Sequence, residues 1–180
     1  TGETPEAYRT GTGYFYFPMF QPKEPKRIVV DIETIPETIM LKYYDRKIQG
    51  IEDRAVAHFF EKQPEYKGRV FGRLGEQKNA RFCYELFVGN RGLEIAKLRF
   101  TDFRSVKVLP PFTGNFAKTK VQNDKEEISS TWDYMNKNWI GTGTFHKDTL
   151  FYLEEYLFEN GTCNEMQLYL PVKEEQKAYT

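Results

Sequence analysis

The chain has 180 residues, with Lys plus Arg and Asp plus Glu at 26 each, so its net charge is zero and it has no long-range pull toward a phosphate backbone. Hydrophobic residues make up 39% and charged residues 29%, which excludes a globally disordered chain; no apolar run reaches the roughly 18 residues of a membrane span, and no signal-peptide pattern opens the sequence. Cys83 and Cys163 lie far apart without a CxxC, so neither a disulfide framework nor a zinc site is expected, and a reducing cytoplasm fits.

Residues 1–26 read as a linker or arm. Gly2, Gly11, Gly13, Pro18, Pro22 and Pro25 interrupt any regular run, while Tyr14-Phe15-Tyr16-Phe17 is too apolar for a free linker and is expected to pack back on the domain. Residues 27–33 predict a strand, Pro36 a turn, and residues 38–44 a second strand paired to the first. The period then changes. Ile51, Ala55 and Phe59 form one apolar face of a helix over 50–63, which Pro64 stops. Strands follow at 69–74 and 81–88, joined by a polar turn over 75–80.

The same order returns in the second half. Strands are expected at 106–109 and 115–121 around a turn at 110–114, then a helix over 128–140. Ile128, Trp132, Met135 and Trp139 make a single stripe on it, so both indoles are expected to be buried. Strands at 149–158 and 164–172 flank Asn160-Gly161, a strong hairpin signal, and residues 174–180 form a charged tail. The predicted fold is therefore α+β. It consists of two pseudo-symmetric βαββ repeats, about 27–88 and 105–172, with antiparallel sheets, helices on one side and a ligand cleft between the repeats.

Aromatic residues reach 16%, including 15 Phe and 12 Tyr, which suits either a ring-rich core or a cavity for flat ligands. The most informative stretch is 151–158. Strand alternation places Tyr152, Glu154, Tyr156 and Phe158 on one face. Phe151, Leu153, Glu155 and Leu157 take the other, which suits packing against helices. Rings around a carboxylate can hold an amphipathic aromatic cation, because the rings stack and the carboxylate supplies the counter-charge. The plainer alternative is a solvated Glu154 on a half-exposed strand, and a slip of one residue would exchange Glu154 with Glu155.

Other chemistry is not indicated. His58 reads as packing beside the apolar helix face and His146 as solvent-facing. No nucleophile motif, metal-ligand cluster or GxGxxG setting is present, so no catalytic residue, metal or cofactor is expected.

Several segments together resemble the GyrI-like, or regulator effector-binding, domain family. IVVDIETIPETIMLKYYD, a helix, GRVFGRL and RFCYELFV resemble its first half; ISSTWDYMNKNWI resembles its second helix; LFYLEEYL followed by NEMQLYLPVK resembles its closing hairpin. The resemblance covers 27–173 and implies paired βαββ units, an amphipathic, aromatic and cationic ligand, and a pocket carboxylate at Glu154 with Tyr156 beside it. Tyr43-Tyr44-Asp45-Arg46-Lys47-Ile48-Gln49-Gly50 departs from the family, in which many members carry a His and an early Gly there. Some relatives are hydrolases, which would make Glu154 a general base, and stand-alone relatives bind a protein target. Thr1-Gly2-Glu3-Thr4-Pro5-Glu6-Ala7-Tyr8-Arg9 resembles the end of AraC-type helix-turn-helix domains. That resemblance implies a DNA-binding domain upstream, through which alone DNA would be met, and makes this chain the sensor of a transcription regulator.

Overall fold

A computed structural model describes residues 27–98, 103, 106–140, 145–148 and 152–174. The expected arm, the helix-turn-helix-like start and the end of the tail lie outside the described residues. The elements in chain order are β1 (Val29–Ile35), β2 (Thr38–Asp45), α1 (Ile51–Lys62), β3 (Val70–Lys78), β4 (Arg81–Gly89), a short α2 (Ile95–Leu98), β5 (Val106–Leu109), β6 (Phe112–Gln122), α3 (Lys125–Tyr134) running into a π-helical turn (Met135–Trp139), β7 (Phe145–Lys147), β8 (Leu153–Glu159) and β9 (Thr162–Glu174). The fold is α+β with antiparallel strand pairing, and ββαββ recurs in the second half with β7 added.

The chain divides into two compact units. Unit I holds the described residues of 34–112 together with Glu154–Tyr156; unit II holds those of 27–33, 113–153 and 157–174.

In unit I the strand order is β8-β3-β4-β2-β5. Strand β2 was expected to pair with β1, but its partners are β4, from Thr38↔Gly89 to Asp45↔Phe82, and β5, from Thr38↔Leu109 to Leu41↔Val106. Strand β1 instead neighbours β6 in unit II. The cause lies in the connections. A two-residue hairpin of type I′ or II′ needs a positive φ at its first residue, whereas Pro36 and Pro110 stand at that position, fix φ near −65° and carry the chain onward. Where primed turns do form, the residues comply: Asn79 and Ala80 have φ of 51° and 57° between β3 and β4, and Asn160 and Gly161 have 51° and 78° between β8 and β9. Strand β3 thus extends to Lys78, past the expected turn at 75, with a register shift between Gly75 and Lys78.

The two sides of the unit I sheet differ in chemistry. Ile39, Leu41, Val70, Tyr84, Leu86 and Val88 share one side and are all 0% exposed. Met40, Lys42, Phe71, Arg73, Glu85 and Phe87 share the other. Helix α1 lies on the aliphatic side, since His58 meets Tyr43 at 5.9 Å between ring centroids and Arg54 bonds Asp45 at 2.6 Å. That choice follows from area: burying each of those aliphatic side chains contributes about 1.5–3 kcal/mol, and charged side chains on the opposite side resist a helix cover. The expected helix face is borne out, with Ile51, Ala55 and Phe59 fully buried. Beyond α1, Gln63 is buried and satisfied at both ends: its amide donates to the Glu94 carbonyl at 2.8 Å and accepts from the Glu94 N–H at 3.0 Å.

Unit II orders β1-β6-β9-β8, with β7 added to β9 through Phe145↔Glu174 to Lys147↔Val172. Strand β9 therefore runs on to Glu174, and His146 stands on β7, exposed as expected. Asp124 caps α3 by accepting from the Glu127 N–H at 2.9 Å. Ile128, Trp132 and Met135 are buried as the stripe predicts, but Trp139 is only partly buried. The reason is the π turn, in which the Ile140 N–H bonds the Met135 carbonyl, five residues back. The wider turn rotates later side chains off the α-helical stripe, and Trp139 stacks on Phe145 instead, 10° from parallel at 6.1 Å.

Both cysteines are free thiols. Cys83 is buried, and burial, followed by the nearby Glu85 charge, pushes its thiol up to about 11. Its thiolate is therefore scarce in the native state at mildly alkaline pH. Iodoacetamide should leave Cys83 unmodified in the native protein and label it readily in urea. Equal labelling rates by peptide mass mapping would contradict this packing.

Candidate functional site

Strand β8 joins β3 through Val70↔Tyr156, Phe71↔Glu155 and Gly72↔Glu154. This register decides which side chains share a face. Gly72 also stands opposite Leu86, so Glu154 and Tyr156 lie on the α1-bearing side of unit I, with Tyr84. The sequence expectation reserved the other face of β8 for helices. The neighbouring strands β2, β3 and β4 outweigh β8 here, because their buried aliphatic residues lie on the side of Glu154.

Glu154 is 0% exposed and Tyr156 is 6% exposed. The Tyr84 and Tyr156 hydroxyls are 2.6 Å apart, and the Tyr84 hydroxyl lies 3.5 Å from Glu154 Oε2, long for a hydrogen bond. Three polar groups from β4 and β8 thus converge in a buried place. Gly72 makes the room: a Cβ there would fall on the Tyr84 hydroxyl. Tyr84 was not singled out from sequence. Alternation in RFCYELFV places it with Phe82 and Leu86, but only the β3–β8 pairing brings it to Glu154.

The remaining predicted residues are placed differently. Tyr152 belongs to unit II, where its ring meets Trp132 edge-on at 5.1 Å. Phe158, also in unit II, is 37% exposed. Glu155 points to the opposite side of β8 and is held by Arg69 through bonds of 2.7 and 3.0 Å. Among the described residues no group of three or more His, Cys, Asp or Glu is placed to hold a metal ion, and no helix is long and apolar enough to cross a membrane.

No protein-family model matches the chain, and no curated protein matches it. Solved structures do. The C-terminal domain of EcmrR is similar in fold, with a TM-score of 0.50 and 11% identity over 83% of this chain and 99% of that domain. A Staphylococcus aureus MU50 protein whose name proposes bacterial transcription regulation gives 0.46 and 12%, over 82% of this chain and 99% of that one. A hydrolase from Listeria innocua gives 0.44 and 16%, over 83% and 93%. At such identities the likeness to the EcmrR domain is one of fold. That likeness is consistent with the GyrI-like architecture that the sequence resembles.

Proposed function

We propose that this chain is the effector-binding domain of a bacterial transcription regulator of the GyrI-like kind, working in the cytoplasm and taking an amphipathic aromatic cation at Glu154. The observation that carries this reading is the fully buried Glu154 carboxylate beside the Tyr84 and Tyr156 hydroxyls. Placing a carboxylate in a dry interior is costly, and a ligand cation offsets that cost. Tyr156 is assigned the ring surface for stacking. DNA is met through a helix-turn-helix domain upstream, on the resemblance of residues 1–9 to the end of one. Ligand binding then shifts the populations of domain arrangements by its difference in affinity between them.

The test is titration calorimetry with rhodamine 6G and a neutral analogue of the same shape. The cationic dye should bind the parent chain near micromolar, about −8 kcal/mol. Glu154→Gln keeps the side chain's size and removes its charge, and should weaken the cation about tenfold while sparing the neutral analogue. Equal affinities for the two dyes, or no loss in a folded Glu154→Gln variant, overturn the reading.

A second reading rests on the same group of hydroxyls. With a tyrosine 3.5 Å away, Glu154 has the geometry of a general base beside a general acid. Release of product from ester or amide substrates, lost in Glu154→Gln, would favour that hydrolase over the sensor.

A further inference from the structure

Strand β5 ends the strand order of unit I and β1 ends that of unit II, and the two edges are built differently. Strand β5 is four residues long, exposes Lys107 beside Val108 and stops at Pro110-Pro111. A short strand, a lysine and a following proline are ordinary means of keeping another chain off an edge. Strand β1 is seven residues long, Val29-Val30-Asp31-Ile32-Glu33-Thr34-Ile35, with five β-branched residues and no lysine or proline. Among the described residues its sheet neighbour is β6.

The two acids of β1 do not guard the edge either. Asp31 and Glu33 share one face, and both meet the Lys118 ammonium of the neighbouring β6, at 3.2 and 2.7 Å, so they are drawn back over their own sheet. On the other face Ile32 is 75% exposed, the most open large hydrophobic among the described residues, and Ile28 and Val30 flank it at strand spacing, both half-buried. A lone exposed isoleucine is ordinary. In a row of β-branched residues on an edge strand it is a template for strand addition.

Charge selects the occupant. Lys118 balances one of its two carboxylates, so that face keeps one negative charge. Arg27 falls on the same face by alternation, is exposed, and has no ion pair among the described residues. A cation at one end of a strand and a surplus carboxylate at the other make the edge complementary to itself when it is reversed.

We propose that β1 is a self-association edge, at which two copies of this chain pair their β1 strands antiparallel about a twofold axis at Val30. Val30 then faces Val30, while Ile28 faces Ile32 and Arg27 faces Glu33 of the second copy, each twice. The competing registers move the axis to a neighbouring residue. An axis at Asp31 sets Asp31 against itself, and one at Ile32 sets Asp31 against Glu33; like charges directly opposite are unfavourable. An axis at Val29 pairs only residues 27–31 and leaves Ile32 outside. The contact is small beside a standard interface, so the dimer is weak and depends on concentration. The inference uses residues of unit II alone and stands apart from Glu154.

The experiment is sedimentation equilibrium of the chain from about 5 to about 500 μM, the range in which so small a contact assembles. The mass should rise from monomer toward dimer. Arg27→Glu turns both Arg27–Glu33 pairs into like-charge pairs and should weaken association about tenfold. Ile32→Lys should abolish it over this range. Both positions are exposed, so both variants are expected to fold as the parent does. Cysteine scanning reads the register, because directly opposed strand residues lie within disulfide reach. In a Cys163→Ser background, Val30→Cys should cross-link to a dimer under mild oxidation faster than Asp31→Cys or Ile32→Cys. A chain that stays monomeric throughout, association that Arg27→Glu or Ile32→Lys leaves unchanged, or cross-linking that is fastest at position 31 or 32 overturns the proposal.

Discussion

Replacing Trp132 by alanine is expected to cost about 3–5 kcal/mol of stability, the range for deleting a buried aromatic side chain. Trp132 is 4% exposed, lies between Ile128 and Met135 on the inner stripe of α3, and meets Tyr152 edge-on. Its removal loses the burial of the indole and leaves a cavity that the capped helix and the strands of unit II cannot collapse to fill. The informative comparison is Trp139→Ala. Trp139 is partly exposed at the end of the π turn and stacks on Phe145, so about 1–2 kcal/mol is expected. Urea unfolding of both variants measures the difference. Equal costs would mean that the α-helical stripe continues past Tyr134 and that the π turn does not govern the packing.

Gly72→Ala should destabilise the chain by about 1–3 kcal/mol through overpacking and should disturb the Glu154 site as well. The added methyl falls on the Tyr84 phenol. Tyr84 is 0% exposed, and its hydroxyl is 2.6 Å from that of Tyr156, so the ring has no free direction in which to move. Either the ring leaves its partner or β3 and β8 separate. Shortening the obstacle provides the check. In Gly72→Ala with Tyr84→Phe the hydroxyl is gone, and part of the lost stability should return even though Tyr84→Phe alone removes a buried hydrogen bond. Strictly additive costs for the pair would show that the two residues do not press on each other.

Much of the local structure was legible in the sequence. Gly50 and Pro64 bracket α1, the residues at i, i+4 and i+8 are its buried face, and Asn160-Gly161 is the tight turn between β8 and β9. These features are encoded by a few neighbouring residues, through backbone geometry and period. The pairing of β1 with β2 was misread, because adjacency in sequence was taken for pairing in space. The strands flanking Pro36 and Pro110 follow each other closely, yet each pairs elsewhere, because proline there withholds the turn that would reverse the chain. The π turn was likewise invisible, since the spacing of Ile128, Trp132, Met135 and Trp139 fits an unbroken α-helix.

The candidate site divides in the same way. Alternation within 151–158 already set Glu154 with Tyr156 and against Glu155, because successive side chains of a strand point to opposite sides. Which side receives the helix is not a property of β8. It depends on the summed aliphatic area of β2, β3 and β4, and that sum places α1 on the side of Glu154. Tyr84 and Gly72 are 70 and 82 residues from Glu154 in sequence, and no local pattern marks either as its neighbour. The sequence alone determined the main elements apart from α2, β7 and the π turn, together with their order and the two faces of each strand, since these follow from short-range backbone preference and periodicity. Only the tertiary structure decided which strands pair, and with them the phenol over the carboxylate, the glycine that leaves room for it and the arginine that covers Glu155, because strand register is set by burial summed over the whole sheet.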